Sequence, residues 1–262
     1  MQKPTGQKPT GQNLPGQSLP GQKPAASVAI VGAGDYIGSA IARRFALEGY
    51  HVFAGRRNGE KLAPLAAEIE AAGGTCTGLS LDARQEDAVA DFMARADDAA
   101  PLEVVVFNVG ANVNFPVLET TERVFRKVWE LACYAGFLTG REGARRLLPH
   151  GRGSIFFTGA TASVRGGNGY TAFASAKFGL RAVAQSMARE LGPQNIHVAH
   201  LVIDSGVDTE WVRQRIAAKG GSSEERILMN PASIAETYWH LHRQPRDAWT
   251  HELDLRPNSE TW

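Results

Sequence analysis

Val28-Ala-Ile-Val-Gly32-Ala-Gly34-Asp-Tyr-Ile-Gly38 carries the chain from a short β-rich run, Ser27 to Val31, into a stretch with apolar residues at helical spacing, Ile37 to Leu47. Each glycine has a physical task. Gly32 permits a tight turn, Gly34 lets backbone N–H groups approach a pyrophosphate at the helix N-terminus, and Gly38 allows close helix-to-strand packing. Tyr36 and Ile37 complete the cofactor-binding loop. Such glycines also make turns that hold no ligand; the position at the first strand-to-helix junction is what points to a dinucleotide.

Working outward, strands and helices alternate. His51 to Ala54 reads as a second strand, and Lys61 to Ala72 as a helix closed by Gly73-Gly74, because glycine tolerates the left-handed cap. Thr75 to Leu81 is a third strand and Glu86 to Ala96 a helix. Leu102 to Phe107, apolar apart from Glu103, has the texture of a strand buried on both faces. A long helix over Glu122 to Leu148, a strand over Gly153 to Phe157 and a helix over Ala172 to Leu191 follow. His197 to Ile203 is a sixth strand and Trp249 to Leu255 a seventh. This alternation predicts a single α/β domain of Rossmann type, a doubly wound parallel sheet of about seven strands with right-handed crossovers. The domain is expected over residues 25–262, behind a disordered tail over residues 1–24 whose Pro, Gly and Gln repeats bury too little to offset the entropy of ordering.

Of 262 residues, 43% are hydrophobic, enough for a sizeable core, and the net charge of +1 argues against a nucleic-acid surface. Cys76 and Cys133 form neither a disulfide framework nor a metal-spaced cluster, which fits a reduced, cytoplasmic setting. No apolar run is long enough for a membrane span, and no secretory signal opens the chain. The histidines lack HExxH spacing; His240 and His242 are two apart on a helix and do not face each other, so no metal site is expected.

The end of the second strand decides between cofactors. An acid there accepts hydrogen bonds from the ribose hydroxyls in NAD binders. This chain offers Ala54-Gly55-Arg56-Arg57, and paired guanidiniums suit the 2′-phosphate of NADP. NADP is therefore the expected cofactor, with NAD the alternative if both arginines are merely solvated.

With Asp82 and Ala83 after the third strand and Asn108-Val109-Gly110 after the fourth, the chain from Val28 to roughly Leu255 resembles the short-chain dehydrogenase/reductase family. The resemblance implies that Asp82 contacts adenine and that the Asn-x-Gly turn supports the sheet beside the cofactor. It places Ser205-Gly206-Val207-Asp208-Thr209 beside the nicotinamide, with Gly206, Val207 and Thr209 as cofactor contacts. The chain also departs from the family. Val31 stands for the threonine and Tyr36 for the middle glycine of the usual TGxxxGxG loop, and serine replaces proline at Ser205.

The catalytic positions depart further. The family's Tyr-x-x-x-Lys aligns with Phe173-Ala-Ser-Ala-Lys177, its serine with Ala160, and its helix asparagine with Cys133, so only Lys177 remains. In carbonyl reduction the tyrosine hydroxyl gives a proton to oxygen as hydride arrives at carbon, while the lysine acidifies it and holds the ribose hydroxyls. Losing a general acid costs roughly 10²–10⁴-fold. Tyr170, one turn before Phe173, shares a helical face with it and with Lys177. It either reaches the pocket in the tyrosine's stead or packs at the helix entrance. Lys177 is either a ribose ligand or a surface lysine. Thr161 and Ser163 are weaker candidates, and Cys133 reads better as a small hydrophobe than as an acid.

The substrate pocket is expected around Cys133, Ala160, Phe173 and Trp211. Arg213, Arg215 and Lys219 either attract an anion or form the solvated face of a helix, the reading favoured for such charges. The leading expectation is an NADP-dependent oxidoreductase transferring hydride to a small carbonyl, imine/iminium or activated C=C substrate through an atypical site. The alternative is a catalytically silent NADP-binding sensor or partner subunit. By resemblance, the chain assembles as a homodimer or homotetramer.

Overall fold

The computed structural model describes residues 24–218 and 227–260. The expected tail over residues 1–24 falls, but for Pro24, outside the described residues, and so does Lys219.

Apolar, β-branched runs supply seven parallel strands: β1 (Ser27–Val31), β2 (His51–Arg56), β3 (Thr75–Ser80), β4 (Leu102–Phe107), β5 (Gly153–Thr158), β6 (Ile196–Ile203) and β7 (Glu252–Leu255). They lie in the order β3-β2-β1-β4-β5-β6-β7. The helices are α1 (Ile37–Leu47), α2 (Ala63–Ala71), α3 (Glu86–Ala99), α4 (Glu122–Trp129), α5 (Ala135–His150), α6 (Thr171–Leu191), α7 (Glu210–Ala218) and α8 (Pro231–His242). Helices α1, α2 and α8 cover one face, where Ile41, Phe45, Ile69 and Tyr238 pack on Val28, Val104 and Phe156. Helices α3, α5 and α6 cover the other, where Phe92, Leu138 and Leu180 pack on Ala29, Phe107 and Phe157. Each such side chain, fully removed from water, contributes about 1.5–3 kcal/mol. This is the doubly wound sheet expected from the alternation, and among the described residues no helix is long and apolar enough to cross a membrane.

Chain order reverses between β1 and β4, and there the strands' carboxyl ends leave a crevice. A third apolar cluster, including Val128, Cys133, Phe173 and Ala176, seats the start of α6 against α4.

Element ends differ from the sequence expectation for local reasons. Strand β2 runs past Ala54 because Gly55 and Arg56 go on pairing with Leu79 and Ser80. The helix expected from Lys61 opens as a 3-10 turn, Gly59–Leu62, where the Asn58 side chain accepts from Glu60 N at 3.1 Å and Ser80 Oγ from Gly59 N at 3.0 Å. The long helix expected over Glu122 to Leu148 carries one π-turn, Glu130–Tyr134, between α4 and α5. Strand β7 starts only at Glu252, because Trp249 stacks on His197 (4.9 Å between centroids) and Thr250 N donates to the Gln244 side chain.

At the opposite pole, Tyr50 Oη donates to Glu103 (2.9 Å) and meets His242 Nε2 (2.8 Å), and Ser154 Oγ meets His242 Nδ1 (3.0 Å). The network suits a neutral imidazole, and burial holds His242 down to about 4. Burial holds His200 to about 4 as well. Below the ordinary 6.5 the unfolded chain takes up protons that the folded chain refuses, so this contribution to stability is full above about 6.5 and is lost as pH falls toward 4. Denaturant titrations from neutral pH down to about 4 check it. The midpoint falls with pH, and His200→Leu, which removes a fully buried imidazole that has no hydrogen-bond partner among the described residues, flattens that fall. An unchanged slope in the variant contradicts the account.

Candidate active site

Gly32 adopts φ +94°, and a Cβ there would lie 2.8 Å from the Asn108 backbone. A Cβ on Gly38 would lie 2.5 Å from the Gly32 carbonyl oxygen. Both positions therefore require glycine, and together they bring α1 down onto the end of β1. Asn108 Nδ2 donates to that same Gly32 carbonyl (3.0 Å), tying the turn after β4 to the turn after β1. Around a Cβ built on Gly34 there is open space to 4 Å. Tyr36, the N-cap of α1, makes no side-chain capping bond, so the partial positive charge of the helix start faces outward.

A cleft of about 610 Å³ opens from this turn. It brings together Gly32, Gly34, Arg56, Arg57, Asp82 and Ala83, with Asn108, Val109 and Gly110 on the other wall. An open glycine, an uncapped helix start and a cationic far end are what a dinucleotide with an extra phosphate requires, so the residues present fit that group. The two arginines are not equivalent. Arg56 is bound to Asp35 (2.6 Å), whereas Arg57 makes no ion pair among the described residues. The Arg84 guanidinium beside Asp82 (2.6 and 2.9 Å) holds that carboxyl below its usual range.

A second cleft of about 320 Å³ gathers Ala160, Phe173 and Tyr170, with Thr161, Arg165 and Ser205. Tyr170 is the N-cap of α6 and half-buried; its Oη accepts from Arg215 Nη2 at 3.2 Å. Thr161 Oγ1 donates to Asp204 (2.6 Å), and Ser163 Oγ accepts from Ala160 N (3.1 Å). Cys133 lines neither cleft: it is buried at the π-turn, where Gly179 of α6 leaves room for its sulfur, and burial pushes its thiol up. Trp211 is exposed on α7 beneath the Arg215 guanidinium (5.1 Å) and is not part of the second cleft's wall.

Five other expected contacts line neither cleft. Tyr36 Oη accepts from Glu210 N (3.1 Å), and Ile37 is half-buried in the first turn of α1. Gly206 and Val207 pair with Met229, and Thr209 Oγ1 caps α7 by accepting from Val212 N (3.1 Å).

Lys177 is buried, not a surface lysine. Its Nζ donates to the carbonyls of Thr158 (2.8 Å) and Val109 (3.4 Å), and lies 5.9 Å from the Phe173 ring centroid. An ammonium has three donors, so one is left for a ligand. Among the described residues no carboxylate compensates it there, and desolvation brings it down to about 8.

Sequence reasoning passed over Asn58, Lys61 and Leu131 in the first cleft, and Asn112 and Arg165 in the second, where Ser205 opens the segment expected beside the nicotinamide. Lys61 had a signal, since it follows the paired arginines on the same turn. Asn112 and Arg165 had none, because loops carry no periodicity.

The family model for short chain dehydrogenase matches residues 26–220. The crystal structure of a short-chain dehydrogenase from Rhodopseudomonas palustris is 63% identical, with a TM-score of 0.78, covering 89% of this chain and 99% of that one. A metagenomic short-chain oxidoreductase solved in complex with NADP is 26% identical, with a TM-score of 0.74, covering 88% of this chain and 97% of that one. The uncharacterized oxidoreductase YuxG of Bacillus subtilis is 30% identical over 80% of this chain, which spans 32% of YuxG's length.

Lys177 yields a pH test. Between about 8 and its ordinary 10.5, the unfolded chain holds a proton that the folded chain has released. Stability from this group therefore rises with pH across that window. Denaturant midpoints measured through it rise for the native chain relative to Lys177→Met; parallel curves would place the ammonium in water.

Proposed function

Because the chain belongs to the short-chain dehydrogenase/reductase family, we propose that it is an NADP-dependent oxidoreductase acting on a small molecule through an atypical catalytic site. The observation that carries this reading is the first cleft, which runs from the glycine turn to Arg57 and Lys61, neither of which makes an ion pair among the described residues. The NADP complex of the metagenomic relative supports it. Gly32, Gly34, Tyr36, Ile37 and Gly38 hold the pyrophosphate at the start of α1, while Asp82 and Ala83 flank the adenine and Arg57, with Arg56, meets the 2′-phosphate. Asn108, Val109 and Gly110 form the facing wall. Lys177 turns its remaining N–H to the ribose, and Gly206, Val207 and Thr209 border the nicotinamide end.

When bound, the dinucleotide supplies a hydride to an electrophilic carbon. The residues of this chain then have to deal with the proton. Phe173 has none to give and Ala160 has no hydroxyl with which to orient a carbonyl. Tyr170, on the wall of the same cleft, supplies the proton to the oxygen of a small carbonyl compound. An iminium needs no such donor, since hydride addition to a cationic C=N leaves a neutral amine; an activated C=C compound is the third substrate class.

Turnover of NADPH over carbonyl and iminium panels tests this. Tyr170→Phe is expected to lower kcat on carbonyls by roughly 10²–10⁴-fold and to spare iminium reduction. Carbonyl reduction that survives the substitution would sink the displaced donor. No turnover of any panel would leave a dinucleotide-binding protein without chemistry.

A further inference from the structure

Arg215 reaches Tyr170 from α7, an element remote from α6 in sequence. Its neighbour Arg213 is taken up by Asp208 through two bonds (2.6 and 2.7 Å), and Glu210 accepts from Gln214 (2.8 Å). Arg215 has no carboxylate partner among the described residues; its guanidinium lies over Trp211 and spends a donor on Tyr170 Oη. A guanidinium only donates, so the tyrosine oxygen must be accepting, and its own hydrogen stays free to point elsewhere. Lys177 is differently employed, with its two bonds on the backbone carbonyls of Thr158 and Val109.

Helix α7 is itself held at its start. Thr209 caps it, and Glu210 N donates to Tyr36 Oη in the glycine turn, so the element carrying Arg215 is fastened to the dinucleotide loop.

We propose that Arg215 is the positioning residue for Tyr170, supplying the cation that the family resemblance would assign to Lys177. The inference rests on the reading of Tyr170 as proton donor. In the step it serves, hydride forms the new C–H bond and the carbonyl π pair moves to oxygen. The Tyr170 O–H bond breaks, and its proton completes the alcohol. The dinucleotide is oxidised and the carbonyl reduced. The electron pair of the broken O–H bond stays on Tyr170 Oη, where the Arg215 N–H bond offsets its charge until water returns a proton to the half-buried phenol.

The test uses the full chain labelled with ¹³C at tyrosine Cζ, followed by turnover. The chain has 5 tyrosines, and Tyr170→Phe identifies the signal of Tyr170 by its loss. Arg215→Met is expected to move that signal, Arg215→Lys to bring it part of the way back, and Lys177→Met to leave it in place. On a carbonyl substrate, Arg215→Met lowers kcat by about tenfold or more with little change in KM, the pattern for an interaction made in the transition state. NADPH affinity is unchanged, Arg215→Lys recovers part of the rate, and Arg215→Met has no further effect in a Tyr170→Phe background. A Tyr170 signal indifferent to Arg215→Met overturns the proposal, as does an equal loss in both backgrounds, which marks a structural role. If Tyr170→Phe loses activity and Arg215→Met keeps it, this inference alone falls. If Tyr170→Phe keeps activity, the donor reading falls and takes the inference with it.

Discussion

The close approach of α1 to the end of β1 is the constraint on which the rest of the molecule depends. Gly38 has to sit against the Gly32 carbonyl, and Gly32 against the turn after β4, with no room for a side chain at either contact. That approach aims the start of α1 into the crevice where the sheet order reverses. The same Gly32 carbonyl takes the Asn108 side chain, so the two turns bordering the crevice are one hydrogen-bonded unit. Both clefts follow from it. The first opens directly from the turn, and the second lies beyond Val109, whose carbonyl helps to seat Lys177.

The site divides into two halves of different character. The dinucleotide half is built from backbone geometry and fixed charges, and little in it depends on a single reactive group. The other half has Ala160 and Phe173 on its wall, and three of its polar side chains are already engaged: Thr161 with Asp204, Ser205 with Glu260, and Tyr170 with Arg215. Burial of Lys177 among carbonyls, with no carboxylate near it among the described residues, makes its ammonium costly.

Much of the fold was legible in the sequence, because strands buried on both faces read as apolar runs and the helices between them keep their spacing. Leu102–Phe107 and Ile37–Leu47 were readable to the residue. Ends governed by side-chain capping or stacking were not: the 3-10 turn capped by Asn58 and the late start of β7 depend on contacts that periodicity does not record. The same holds for the site. The glycine turn and paired arginines were visible as local patterns. Pairing of Arg56 with Asp35, burial of Cys133 against Gly179, and the reach of Arg215 to Tyr170 are tertiary facts, set by how separate elements meet. Helical spacing placed Tyr170 on the face of Phe173 and Lys177, yet it could not supply the partner that its hydroxyl finds.

The most direct measurement is a calorimetric titration of the native chain and of Arg57→Ala with NADPH and with NADH. Tighter binding of NADPH, with the preference falling roughly 10–100-fold in the variant while NADH affinity holds, is the result the account predicts, since a charge-assisted bond is worth about 1.5–3 kcal/mol. Equal affinity for the two dinucleotides in the native chain would contradict the reading of the arginine turn, and binding of neither would contradict the site.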